Sequence, residues 1–189
     1  RLIGHLFAAQ LQLKENLTTV LGLDIPEQQV DFTFKLINCL KKSVQSEELR
    51  NQIVKNLVFM INSLLKANFP VKFEQLYRKL SFVGRKAMLD IKTASDRLET
   101  ILEFFSVSIK LLCEHKQVLE AVCGPILELV YRIYTDEQYA GGTPVKDCSI
   151  EIVEQLQKEV DKSLFIETYS SVKNQILEKR SARKMQQKQ

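Results

Sequence analysis

The side chains in this 189-residue chain that could do chemistry are two histidines, four cysteines and scattered carboxylates. Cys113, His115 and Cys123 offer sulfur and nitrogen to a metal, but a structural zinc site draws its ligands in short, paired spacings that this set lacks. Donors at i and i+2 on one helix also point apart. His5 has no second ligand near it in sequence. These residues read as core cysteine beside exposed histidine, with no metal and no cofactor expected. Asp96, Glu99 and Glu103 recur at intervals of three and four, which puts them on one helix face. Acid–base catalysis would need them in a cleft that shifts their proton affinity; the solvated side of an amphipathic helix accounts for them without one. Gly141-Gly142-Thr143 lacks the preceding strand, the lysine and the G-x-x-x-x-G-K spacing of a phosphate-gripping loop, and reads as a connection. With no nucleophile elbow and no dinucleotide fingerprint, the chain reads as non-enzymatic, with no small-molecule substrate.

What remains is positive charge. Lys72, Arg78, Lys79, Arg85 and Lys86 lie together on one predicted helix, with Tyr77 among them. Lys173, Lys179, Arg180, Arg183, Lys184 and Lys188 crowd the C-terminal end. Lysine and arginine contacts to phosphates give affinity for nucleic acid without reading bases, so both groups are candidate RNA or partner contacts. A solvated helix, or one docked on an acidic protein surface, is the plainer account of each.

These charges must be positioned by helices. Proline and glycine number 4 and 6 and lie mostly where apolar patterns break, which favours an all-α chain. Leu2, Ile3, Leu6, Phe7, Leu11 and Leu13 suggest a first helix. Asp24-Ile-Pro-Glu is a start signal, with aspartate to cap and proline at the first helical position. The next stripe is Val30, Phe34, Ile37, Cys39 and Leu40, predicted to stop near Ser43. Ser46 opens another, Leu49 to Leu64 by threes and fours, which Asn68-Phe-Pro70 ends. Phe73, Leu76, Leu80, Val83 and Ala87 form the stripe behind the first basic group. Ser95 or Asp96 caps the helix carrying Leu98, Ile101, Leu102, Phe105, Ile109 and Leu112. Gly124-Pro125 predicts a kink, or two short helices, within 117–134. Ile150, Val153, Leu156 and Val160, then Leu164, Phe165, Tyr169, Val172 and Ile176, lead into the basic end. No stretch alternates with period two, so no sheet is expected.

Hairpins of roughly 40 to 47 residues have the scale of HEAT or armadillo repeats. The predicted fold is therefore a HEAT/armadillo-like α-solenoid of stacked helical hairpins with a long basic C-terminal helix; an irregular helical bundle is the alternative. The expected organisation is HEAT-like repeats over 1–138, a loop or gap over 139–146, a terminal hairpin over 147–172 and a basic helical extension over 173–189. Over 173–189 six cations face one acid, a local charge of +5, so residues 1–172 carry −1 of the chain's +4. The basicity belongs to the end. Widely spaced Cys39, Cys113, Cys123 and Cys148 read as reduced core residues of an intracellular protein. No signal peptide is visible, and no apolar run approaches the roughly 20 residues that cross a bilayer. The chain begins without methionine inside a helical pattern, as a fragment would.

Four stretches, RLIGHLFAAQ (1–10), RNQIVKNLVFMINSLL (50–65), FEQLYRKLSFVGRKAML (73–89) and VKNQILEKRSARKMQQKQ (172–189), resemble the C-terminal region of the small subunit processome component 20 family. These are very large HEAT-repeat proteins, also called down-regulated in metastasis. The resemblance implies a nucleolar, non-catalytic scaffold supporting pre-rRNA processing and small-subunit assembly. Its partners would be other processome proteins, pre-rRNA and small nucleolar RNA. It also implies a long basic helical extension, matching 173–189. It carries over no catalytic or defined binding residue. A HEAT-repeat adaptor for nuclear transport or signalling, binding proteins alone, is the competing reading; binding to an acidic peptide rather than RNA would favour it.

Overall fold

The computed structural model describes residues 26–40, 46–67, 72–89, 94–136 and 142–186, the side chains of Ala94, Arg183 and Lys184 excepted. Seven helices occupy these residues: α1 (Pro26–Cys39), α2 (Glu47–Lys66), α3 (Phe73–Ala87), α4 (Ala94–Leu112), α5 (Lys116–Thr135), α6 (Thr143–Glu159) and α7 (Lys162–Gln186). Among the described residues there is no strand, and no helix is long and apolar enough to cross a membrane. The expected helix over 1–13, Asp24, His5, Asn68 to Pro70, Gly141 and Lys188 lie outside the described residues.

Local signals set the boundaries. Pro26 opens α1, where its missing N–H is not needed. Ser46 caps α2, its hydroxyl accepting from the Leu49 N–H at 3.4 Å. Neither Ser95 nor Asp96 is the cap of α4, because the helix already includes Ala94; Ser95 instead donates to Glu99 at 2.8 Å within the first turn. The connection expected over 139–146 ends sooner, since α6 begins at Thr143 with Pro144 in its first turn, entered through Gly142 at φ 82°. That left-handed conformation suits glycine alone among common residues.

Gly124-Pro125 neither splits nor ends α5, which runs as one helix from Lys116 to Thr135. Pro125 cannot donate to the carbonyl one turn back. Neighbouring helices bond to and pack against the chain at this point. The buried Ser81 hydroxyl of α3 donates to the Pro125 carbonyl at 2.5 Å, and the Thr168 methyl of α7 packs 3.5 Å from where a Gly124 Cβ would stand.

The helices form two rows. Consecutive helices pair as α1/α2, α3/α4 and α5/α6, while alternate helices stack as α1–α3–α5–α7 and α2–α4–α6. Helices of the first row start at residues 26, 73, 116 and 162, spacings of 47, 43 and 46. Bonds between row neighbours show the same period. Ser81 to Pro125, Arg85 to Glu128, Arg180 to Thr135 and Ser106 to Gln155 join residues 44, 43, 45 and 49 apart. Partners advancing together along both helices mean that row neighbours run parallel. This is the stacking expected of an α-solenoid, in which each hairpin buries its apolar stripe against the next.

The core lies between the rows. Leu57, Met60, Ile61 and Leu64 of α2, Leu98, Ile101, Leu102 and Phe105 of α4, and Ile126, Leu129, Val130 and Ile133 of α5 are all buried. At its centre Tyr77 stacks on Phe105, centroids 5.8 Å apart and planes 15° from parallel, with Phe104 tilted at 5.7 Å. Gly84 makes the α3–α5 contact possible: a Cβ there would run into the Leu129 side chain, with Cδ1 2.9 Å away. The buried Arg97 donates to the Leu40 carbonyl at 3.0 Å, tying α4 to the end of α1. Cys39 departs from expectation: it is exposed, whereas Cys123 is buried and Cys113 and Cys148 are half-buried. Burial, and after it the Glu120 carboxylate, pushes the Cys123 thiol up to about 12.

Candidate nucleic-acid interface

The stripe of α3 turns Phe73, Leu76, Tyr77, Leu80, Val83, Gly84 and Ala87 inward. At 100° per residue the opposite side must present Gln75, Arg78, Lys79, Phe82 and Lys86. Gln75, Arg78, Phe82 and Lys86 are exposed and Lys79 half-exposed. Tyr77, expected among the cations, is fully buried in the aromatic cluster and forms no part of this surface. Burial pushes its phenol well above the ordinary range; the hydroxyl faces Ser108 without a well-formed hydrogen bond.

The cations of α3 divide into two lines. On the side facing α5, Arg78 donates to Glu74 through Nε and Nη2 at 2.8 and 2.6 Å. Arg85 pairs with Glu128 of α5, which Arg132 also approaches at 3.6 Å. Both arginines are therefore held by carboxylates. Facing α1, Lys72, Lys79 and Lys86 recur every seven residues, steps of about 10 Å along the axis. No carboxylate among the described residues pairs with these lysines. Lys72 sits in the turn before the helix, and the Lys79 ammonium lies 4.8 Å from the Phe34 ring centroid of α1. Phe82, 46% exposed, stands between the two lines, with Lys86 Nζ and Arg85 Cζ each 5.8 Å from its centroid. Phe82 went unremarked in the sequence, although it falls on the far side of the helix from the stripe through Leu76 and Leu80.

The second basic group lies on α7. Asp161 starts this helix, accepting from the N–H groups of Ser163 and Leu164 at 2.9 and 3.1 Å. The Ser163 hydroxyl first, then these backbone bonds, holds its carboxyl below the usual range. Phe165 stacks on Tyr169, which meets Tyr131 edge-on and whose hydroxyl contacts that of Tyr134. Burial, then Tyr169, pushes the Tyr134 phenol well up. Ile176 is buried, and Arg180 donates to Thr135, the last residue of α5, at 3.3 Å. Past that point Ser181, Ala182, Met185 and Gln186 are exposed. The helix thus docks along α5 and then continues beyond it. Lys173 and Lys179 are exposed; Arg180, expected with them as an RNA or partner contact, is half-buried and bonded to Thr135. Arg183 and Lys184 lie on the projecting part. The two basic groups occupy helices of the same row, with α5 between them.

Carboxylates gather on the second row. Glu47, Glu99 and Glu103 line one groove between α2 and α4 together with Arg50, which pairs with Asp96 at 3.5 Å. Glu151 of α6 approaches Cys148 near Glu103 and Glu99; burial, then these three carboxylates, raises the Cys148 thiol. The carboxylates of α4 are thus gathered with others, but along an open face. This groove, the α4/α6 groove over Leu102 and Val145, and a third between α5 and α7 each hold about 300 Å³ and open to solvent. Cys113 and His115 fall in the turn between α4 and α5, and Cys113 donates to the Ile109 carbonyl at 3.1 Å. Among the described residues no three potential ligands gather to hold a metal.

The structure thus defines a class: an all-helical solenoid segment whose two basic groups lie on helices of one row. The chain belongs to the family described as small subunit processome component 20 homolog, C-terminal, whose model it matches over residues 1–189. It is 25% identical over 193 residues to U3 small nucleolar RNA-associated protein 20 of Schizosaccharomyces pombe, a match covering 97% of this chain and 8% of that protein. The chain therefore spans about one-twelfth of that relative's length. No solved structure matches it.

Proposed function

We propose that this chain is a non-catalytic scaffold segment of the small-subunit processome, working in the nucleolus to support pre-rRNA processing and assembly of the small ribosomal subunit. The carrying observation is the whole-length match to the family of processome component 20; the relative's association with U3 small nucleolar RNA supports the same setting. Within that role the first row faces RNA. Lys72 just before α3, with Lys79 and Lys86 on it, pairs with no carboxylate among the described residues, and the end of α7 carries Arg183 and Lys184 past α5, beyond exposed Lys179. The carboxylates of the second row repel phosphate, so processome proteins rather than RNA occupy that side. The basic extension over 173–189 is one functional unit and the repeats before it another.

Neutralising Lys179, Arg183 and Lys184 to glutamine tests the RNA half. Affinity for single-stranded RNA should fall, and the slope of log affinity against log salt should shrink by up to about 0.7 per lost phosphate contact. An unchanged slope overturns RNA contact by this helix. Crosslinking within the native particle tests the placement: adducts to RNA on α7 support it, and adducts to protein alone favour a protein adaptor.

A further inference from the structure

The outward face of α3 carries an aromatic ring where a soluble helix usually carries polar groups. Phe82 is 46% exposed, while its chain neighbours Ser81 and Val83 are buried. It lies three residues after Lys79 and four before Lys86, so the three share one face. Arg85 Cζ and Lys86 Nζ lie over the ring, each 5.8 Å from its centroid, and Lys79 Nζ lies over the Phe34 ring of α1 at 4.8 Å. No carboxylate among the described residues pairs with Lys79 or Lys86.

We propose that Phe82 is a stacking platform for an unpaired RNA base, with Lys79 and Lys86 holding the phosphates on either side. This deepens the RNA reading of the first row and rests on it. An exposed ring with mobile cations over it meets both needs of single-stranded nucleic acid without requiring a particular sequence: the base takes the cations' place on the ring, and their charge turns to the backbone. The lysines serve this better than the arginines, because Arg78 and Arg85 already pair with Glu74 and Glu128. A duplex keeps its bases stacked inside and cannot use the ring. Leu89, seven residues further on, is 78% exposed and continues the apolar line, so a hydrophobic protein contact is the rival occupant.

Binding of the full chain to a short unpaired oligoribonucleotide and to a duplex of the same sequence separates these. Phe82→Ala should weaken single-strand binding about 5- to 150-fold, the range for one stacked base, while leaving its salt slope and the duplex affinity unchanged. Phe82→Trp should retain binding. Phe82→Leu keeps the apolar bulk without the π-face and should bind like alanine. Lys79→Gln with Lys86→Gln should flatten the salt slope.

Leucine binding as well as phenylalanine, or equal losses on single strand and duplex, overturns stacking. Alanine binding within twofold of the native chain, while the lysine variants weaken, overturns stacking and leaves the RNA reading standing. No RNA binding by the native chain overturns both. Since Phe82 is exposed, the melting temperature of each variant should match the native one; a variant that melts early transfers the test to Phe82→Trp against Phe82→Leu.

Discussion

Helices α3 and α7 both carry clusters of cations, and they hold them in opposite ways. Eight of the fifteen residues of α3 are buried, and α5 stacks against it. Among the described side chains of α7, only Phe165 and Ile176 are buried, and its last turns pass beyond the end of α5. Charges on α3 are therefore placed by a rigid neighbour on each side, whereas those on α7 are placed by the helix alone once Arg180 has made its bond to Thr135. The difference separates two uses of basic residues. On α3 the body of the solenoid sets the distance between lysines and an aromatic ring. On α7 the charge is carried outward, and a surface reached from there can be approached at more than one angle.

The comparison breaks most sharply at Tyr77. Truncation to alanine should cost about 3 to 5 kcal/mol, as for other large buried aromatics, read as a shift of the denaturant midpoint. Leu177→Ala on α7, where the side chain is 43% exposed, should cost less than about 0.5 kcal/mol. Equal losses would remove the contrast. Tyr77→Phe should be neutral or slightly stabilising, because the hydroxyl it removes lacks a proper partner.

Gly84→Ala comes next. Alanine is the better helix former by about 1 kcal/mol, yet the new methyl would meet buried Leu129 at below van der Waals distance. Overpacking of this kind costs about 1 to 3 kcal/mol, so net destabilisation is expected. A raised melting temperature would show that Leu129 has room to move.

Alkaline pH should loosen the body ahead of the end. The Cys123 thiol is pushed up to about 12, and burial raises Tyr77 and Tyr134 as well. A buried acid with a raised folded value favours the protonated, folded state. Its contribution is complete below the unfolded value, about 8.5 for a thiol, and is lost as pH rises from there towards 12. Stability should fall across that window, followed by denaturation midpoints at stepped pH. At neutral pH, thiol reagents should modify exposed Cys39 first and Cys123 only on unfolding.

The smallest effect is local. Asp161→Ala removes the acceptor for two N–H groups at the start of α7. Amide exchange of Ser163 and Leu164 should quicken while the α3 amides stay protected. The native carboxyl is held low, so its contribution is present above about 3.9 and fades as pH falls through its lower folded value. Faster exchange throughout the chain would mean that α7 supports the whole stack.

Much of this architecture was legible in residue spacing. Stripes such as Leu57, Met60, Ile61 and Leu64 repeat at the helical period because burial on one side rewards that period. Ser46 and Pro26 mark helix starts through their own backbone chemistry. Gly124-Pro125 leaves a kink or two short helices open in the sequence, and α5 stays one helix with help from elsewhere: the groups that meet it there, Ser81 and Thr168, come from α3 and α7. Nothing within residues 116–135 announces them. The same limit applied to charge. Arg78, Lys79 and Arg85 look alike in a list of cations, but Glu74, Phe34 and Glu128 give them different neighbours.

Helical class, repeat length and the concentration of charge over 173–189 follow from composition and periodicity, since each depends on residues close together in the chain. Tyr77 at the centre and Phe82 at the surface are five residues apart on one helix. Periodicity alone puts Phe82 opposite the stripe through Leu76 and Leu80. Packing decided the burial of Tyr77, because Phe104 and Phe105 of α4, 27 and 28 residues away, close over its ring.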